Sequence, residues 1–128
     1  MSESWILEDF ESAVTQLEAA LSIPAENDLL KAGCIQYFEF CFELAWKSIK
    51  VACRNSGLPD CLSPKGCLKQ AFANGWIDQE DAWLEMLDAR NRMSHTYNAK
   101  DALKVYELLS GFLPVLSALL IALKVLDS

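Results

Sequence analysis

Residues 27–57 read NDLLKAGCIQYFEFCFELAWKSIKVACRNSG, and the spacing of their apolar side chains predicts one long helix. Ile35, Phe38, Phe42, Ala45, Ile49 and Ala52 recur at steps of three and four, the period of a single helix face. Leu30, Cys34, Tyr37, Cys41, Leu44 and Val51 form a second stripe about 100° round. Asn27 or Asp28 opens the run, and Gly57 suits the left-handed residue that closes a helix. A helix apolar over so wide an arc must be covered on two sides, so it is either central in a bundle or shared with another subunit. Glu39, Glu43 and Lys47 step by four along the polar strip that remains. The strip is either a row of surface ion pairs, each worth about 0.3–0.5 kcal/mol, or a rim that fixes a partner or a catalytic arginine.

The flanking segments read the same way. Ser4 can cap a helix whose apolar positions Ile6, Phe10, Val14, Leu17 and Leu21 share one face, and Ile23-Pro24 ends it. Ser63-Pro64 pairs a hydroxyl cap with proline at the first helical position, and that helix stops at Asn74-Gly75. Asp78 is the expected cap of a fourth helix through Trp83, Met86, Leu87 and Arg90. Asn98, with Asp101 three later, opens the last. No strand-like alternation or internal repeat competes, so the expectation is an all-α single domain over residues 1–128.

With 128 residues, 52% of them apolar, the chain can build one core without metal or disulfide staples. Its net charge of −7 disfavours a general nucleic-acid coat or an anionic-membrane binder. Charge is uneven, however: residues 89–105 hold Arg90, Arg92, Lys100 and Lys104 against Asp101 alone. The run 108–123 carries no charge but is short for a membrane span and diluted by Ser110, Gly111, Pro114 and Ser117, so it reads as a core or dimer helix. Together with the two-sided helix it predicts a homodimer. Five cysteines without a Cys-x-x-Cys pair, behind an acidic N-terminus, suggest free thiols in a reducing cytoplasm. Cys34 and Cys41 read as core residues, and with a single histidine no zinc cluster is expected.

The densest polar stretch surrounds that histidine: Asp88-Ala-Arg90-Asn91-Arg92-Met-Ser94-His95-Thr96-Tyr97-Asn98. Imidazole moves a proton near neutral pH and guanidinium forks onto a phosphate, so the set can cleave RNA without a metal. On an unbroken helix Arg90 and His95 stand about 140° apart, whereas Asn91 and His95 share a face. Convergence of Arg90 and His95 therefore needs either a helix that loosens near Met93-Ser94 or a cleft with Arg90 at its edge that His95 enters from elsewhere. One histidine supplies one proton-transfer group, and a two-fold dimer would bring a second. The plainer alternative is a histidine capping a helix end, with the arginines on a solvated face.

This stretch, with Ile35-Gln36-Tyr37-Phe38-Glu39-Phe40, Glu43-Leu44-Ala45-Trp46-Lys47, Ser63-Pro64, Ala71-Phe72 and Trp83-Leu84-x-Met86-Leu87 in order, resembles the nucleotidyltransferase substrate-binding protein family of the HEPN superfamily. The resemblance implies an up-and-down four- or five-helix bundle that dimerises and works beside a small nucleotidyltransferase encoded as a separate chain. It implies either nucleotide-substrate binding or a toxin with metal-independent endoribonuclease activity on RNA. Its Arg-x-x-x-x-His signature falls on Arg90 and His95 as catalytic residues, with Asn91 and Ser94 orienting them. Tyr97 matches the tyrosine that receives AMP in the related toxin–antitoxin systems. No cofactor is implied. The rival expectation is a non-catalytic bundle that only docks a partner protein.

Overall fold

Helix α1 (Ser4–Leu21) turns through residues 22–27 into the long α2 (Asp28–Asn55), and the two pack as a hairpin. The computed structural model describes residues 4–93 and 98–128. Ile6, Phe10, Val14 and Leu17 are buried along α1, the face their spacing predicts. Asn27 caps α2 by accepting the Leu30 N–H at 2.9 Å. At its other end Gly57 takes φ +72°, which lets the Leu58 N–H reach back to the Cys53 carbonyl. Helix α3 (Pro64–Ala73) opens on Ser63, whose Oγ accepts the Gly66 N–H, and closes beyond Asn74 at Gly75, φ +74°. Helices α4 (Glu80–Met93), α5 (Ala99–Leu103) and α6 (Leu109–Asp127) follow, with a 3-10 segment Lys104–Leu108 between the last two.

The molecule is an all-α up-and-down bundle with α2 at its centre, packed against α1, α3, α4 and α6. The first α2 stripe supplies the core: Ile35, Phe38, Phe42, Ala45 and Ile49 are fully buried. Phe112 of α6 stacks on Phe38 at 5.4 Å, Phe38 meets Phe42 at 6.3 Å, and Phe42 meets Trp83 of α4 at 6.4 Å. A chain of rings thus ties three helices together. The second stripe is covered only in part. Cys34 and Cys41 are buried, Tyr37, Leu44 and Val51 are half-buried, and Leu30 is exposed.

Three local expectations are corrected. α4 begins at Glu80, not after an Asp78 cap. Ile77 is drawn into the core and the Trp76 N–H is held by the Ala71 carbonyl, which keeps this stretch out of helix until Gln79 accepts from Trp83. The last helix is not continuous from Asn98, although Asn98 does cap α5 through the Lys100 and Asp101 N–H groups. Val105 and Leu109 both turn inward, and a 3-10 segment accommodates the change of direction. Finally, Cys61 and Cys67 form a disulfide, while Cys34, Cys41 and Cys53 are free. The chain folds back over the first turn of α3, bringing the two Cα atoms to 5.0 Å, within bridging range.

Candidate functional site

The polar strip of α2 and the last turns of α4 meet edge to edge. Met86 and Ala89 point into the core and fix the rotation of α4, leaving Arg90 on the side facing α2. There the Arg90 Nε pairs with Glu43 Oε2 at 2.9 Å, both side chains about two-thirds withdrawn from solvent, at 30% and 35% exposure. The other carboxylate oxygen, Oε1, accepts the Trp46 indole N–H at 3.0 Å. Glu43 is therefore gripped from both sides, and through it Arg90 is tied to the central helix of the bundle. Arg90 also donates from Nη1 to Asn91 Oδ1 at 3.2 Å.

The members of the strip thus separate. Glu43 does not make a row with its neighbours but an interhelical pair. Lys47 lies over the Trp46 ring, 5.9 Å from its centroid. Glu39 is half-buried one turn before Glu43; burial, and then the nearby Glu43 charge, push its carboxyl above the ordinary carboxylate value. Arg92 pairs with Asp88 on the exposed side of α4 at 3.1 Å. Trp46 is the positioning side chain that spacing alone did not single out. Its signal is the i,i+3 relation to Glu43, which on a helix puts the indole beside the carboxylate.

A groove of about 560 Å³ runs alongside, between the first half of α2, the end of α4 and α5. Asp28, Gln36 and Glu39 contribute its polar lining, Leu29, Ile35 and Leu103 its apolar lining. Ser94, His95 and Tyr97 lie outside the described residues. The flanks of their segment, Met93 and Ala99, both line the groove. Among the described residues no three His, Cys, Asp or Glu side chains gather at metal-binding distance.

The fold is that of an all-α helical bundle of the HEPN class. Residues 6–125 match the family described as nucleotidyltransferase substrate binding protein like, and the chain belongs to that family. A Haemophilus influenzae protein described as a probable ribonuclease HepT is 36% identical over 91 residues, covering 68% of this chain and 62% of the relative. Two solved structures share the fold. One, from Thermus thermophilus, superimposes with a TM-score of 0.81 at 26% identity, over 89% of this chain and 98% of its own. The other, from Haemophilus influenzae and described as revealing the fold of a substrate binding domain of a nucleotidyltransferase, gives 0.78 at 30% identity, over 92% and 98%.

Proposed function

We propose that this chain is the helical partner of a small, separately encoded nucleotidyltransferase and acts as a metal-independent endoribonuclease in the cytoplasm. The observation that carries the reading is Arg90, anchored through Glu43 to α2 beside an open groove. With Nε engaged by Glu43 and one Nη1 hydrogen by Asn91, Nη2 and the other Nη1 hydrogen are the donors that grip an RNA phosphate. His95, four residues beyond Asn91, takes the proton of the 2′-hydroxyl. The 2′-oxygen then attacks phosphorus, and the 5′-oxygen of the next nucleotide leaves with a proton from a second acid. A homodimer supplies that acid as the other copy's His95. Leu29, at 80% exposure, and Phe40, at 47%, offer an apolar surface on α2 for such pairing. Transfer of AMP to Tyr97 places an anion beside Arg90 and His95 and blocks the phosphate site.

The test is cleavage of RNA in EDTA, with 2′,3′-cyclic phosphate ends. His95→Ala should slow it by about 10²–10⁴-fold, and Arg90→Ala should do likewise. Cleavage unchanged in His95→Ala would overturn the catalytic assignment. Incubation with the cognate nucleotidyltransferase, ATP and magnesium should add about 329 Da per chain, the mass left by one AMP transfer, and Tyr97→Phe should prevent it.

A second reading has its own observation. Glu43 pairs with Arg90, and Asp28 and Glu39 line the neighbouring groove, in a chain of net charge −7, an acidic setting for an RNA backbone. In that reading the groove binds the nucleotide substrate or docks the nucleotidyltransferase, without chemistry of its own. It predicts no cleavage by wild-type protein and retained binding to the nucleotidyltransferase in Arg90→Ala.

A further inference from the structure

Helix α6 is apolar over most of its circumference, broken by one narrow polar edge of Ser110, Ser117 and Lys124, yet only one side of it is covered. Phe112, Leu116, Leu119 and Leu123 are buried against the rest of the bundle. The opposite side presents Gly111, Pro114, Ala118, Ile121 and Val125, at steps of three, four, three and four, all of them exposed. Ile121 is 64% exposed and Val125 69%. The solvated face of a surface helix ordinarily carries charge. Here the edge carries Lys124 alone among residues 109–125, and that side chain is tied to Glu11 of α1.

The order of side-chain sizes along this stripe identifies what covers it. When two identical helices pair antiparallel about a two-fold axis, residue i meets j and j meets i. With the axis beside Leu116, Gly111 falls level with Ile121 of the second copy, and Pro114 with its Ala118. The largest side chain of the stripe is thereby seated over its smallest residue, at both ends of the contact. A Cβ built on Gly111 meets nothing within 4 Å, so the space above it is open to receive a branched side chain. Lys124 falls level with Leu108, not with another lysine. Two bodies that each carry −7 therefore meet across a neutral strip with no like charges opposed. Parallel pairing would instead set isoleucine on isoleucine and glycine on glycine, a clash at one end and a gap at the other.

We propose that the exposed face of α6 is a self-association surface on which a second copy of this chain packs its own α6 antiparallel, Ile121 over Gly111. None of these residues lines the groove beside Arg90, so the surface is independent of the pairing invoked for catalysis. Two different isologous contacts on one chain build a dihedral particle.

Two measurements on the full chain test it. Gly111→Cys and Ile121→Cys proteins, mixed under oxidised glutathione, should form a mixed disulfide. Neither alone should cross-link to itself, because like positions lie about 15 Å apart along the antiparallel pair. The other free thiols are buried. In sedimentation, Ala118→Glu should halve the mass of the wild-type particle, whereas Leu29→Glu reports on the groove-side contact. A wild-type dimer that Ala118→Glu dissociates and Leu29→Glu leaves intact would support the α6 surface while removing the groove-side dimer. A mass unmoved by Ala118→Glu, or self-cross-linking of either cysteine variant, overturns the proposal. So does a monomer that co-sediments with phosphatidylcholine vesicles, which would make the stripe a lipid contact.

Discussion

Glu43 serves two donors at once, and its substitution separates stability from function. Glutamine keeps one acceptor oxygen but turns an amide N–H₂ toward either Trp46 or Arg90. Because the Arg90 pair is about one-third exposed, Glu43→Gln should cost no more than about 1 kcal/mol in a denaturation experiment. Under the proposed ribonuclease function, single-turnover RNA cleavage should fall far more, on the order of 10²-fold, because the proposed phosphate-gripping group loses its anchor. A different sign is expected at Glu39. Its native carboxyl titrates above the ordinary value, through burial first and the Glu43 charge second. Between the ordinary and the raised value the native state holds a proton that the unfolded chain has released. Stability therefore falls as pH rises through that window, and the deficit persists above it. Glu39→Gln should accordingly melt higher than wild type at pH 7. Its advantage should shrink as pH drops below the carboxylate range, where Glu39 is protonated in both states. An advantage independent of pH would assign the gain to another cause.

At the scale of elements, α3 depends on two local devices that overlap in sequence. Ser63 caps the helix, and the Cys61–Cys67 bridge closes a loop around that cap. Ser63→Ala should cost about 1 kcal/mol. Reduction of the bridge frees a loop with sequence separation 6, for which chain-entropy reasoning gives about 2 kcal/mol. Thermal melts with and without dithiothreitol should show the loss in wild type and none in Cys61→Ser. The remaining thiols resist oxidation for a different reason. Cys41 is fully buried and its thiol is pushed up to about 12 by burial alone, so almost no thiolate exists at neutral pH. The cap of α3 was legible because Ser-Pro acts on its own next turn. The bridge was not, since nothing in a Cys-x5-Cys spacing says that the chain will fold back.

The whole molecule rests on the ring sequence Phe112, Phe38, Phe42, Trp83 that crosses α6, α2 and α4. Phe38 is fully buried, and Phe38→Ala should cost about 3–5 kcal/mol in urea denaturation through lost burial and the cavity left behind. That is a large part of the roughly 5–15 kcal/mol that holds such a domain together. Phe72, 44% exposed at the end of α3, is the control: Phe72→Ala should change stability by no more than about 0.5 kcal/mol.

What residues 27–57 determine by themselves is the helix, its caps and its buried stripe, because each depends on side chains within a turn or two of one another. The same locality made the all-α class and three of the helix starts, at Asp28, Pro64 and Ala99, readable from periodicity and capping residues. Tertiary structure alone decided where the polar strip points. Glu43 could have paired with Lys47 one turn on, and its preference for Arg90 arises from how Met86 and Ala89 rotate α4 as they enter the core. It also decided that α4 starts late and that the last helix breaks into α5, a 3-10 segment and α6. Ile77, Val105 and Leu109 are held in place by burial against distant residues, and burial outweighs the weaker local preferences of their own segments.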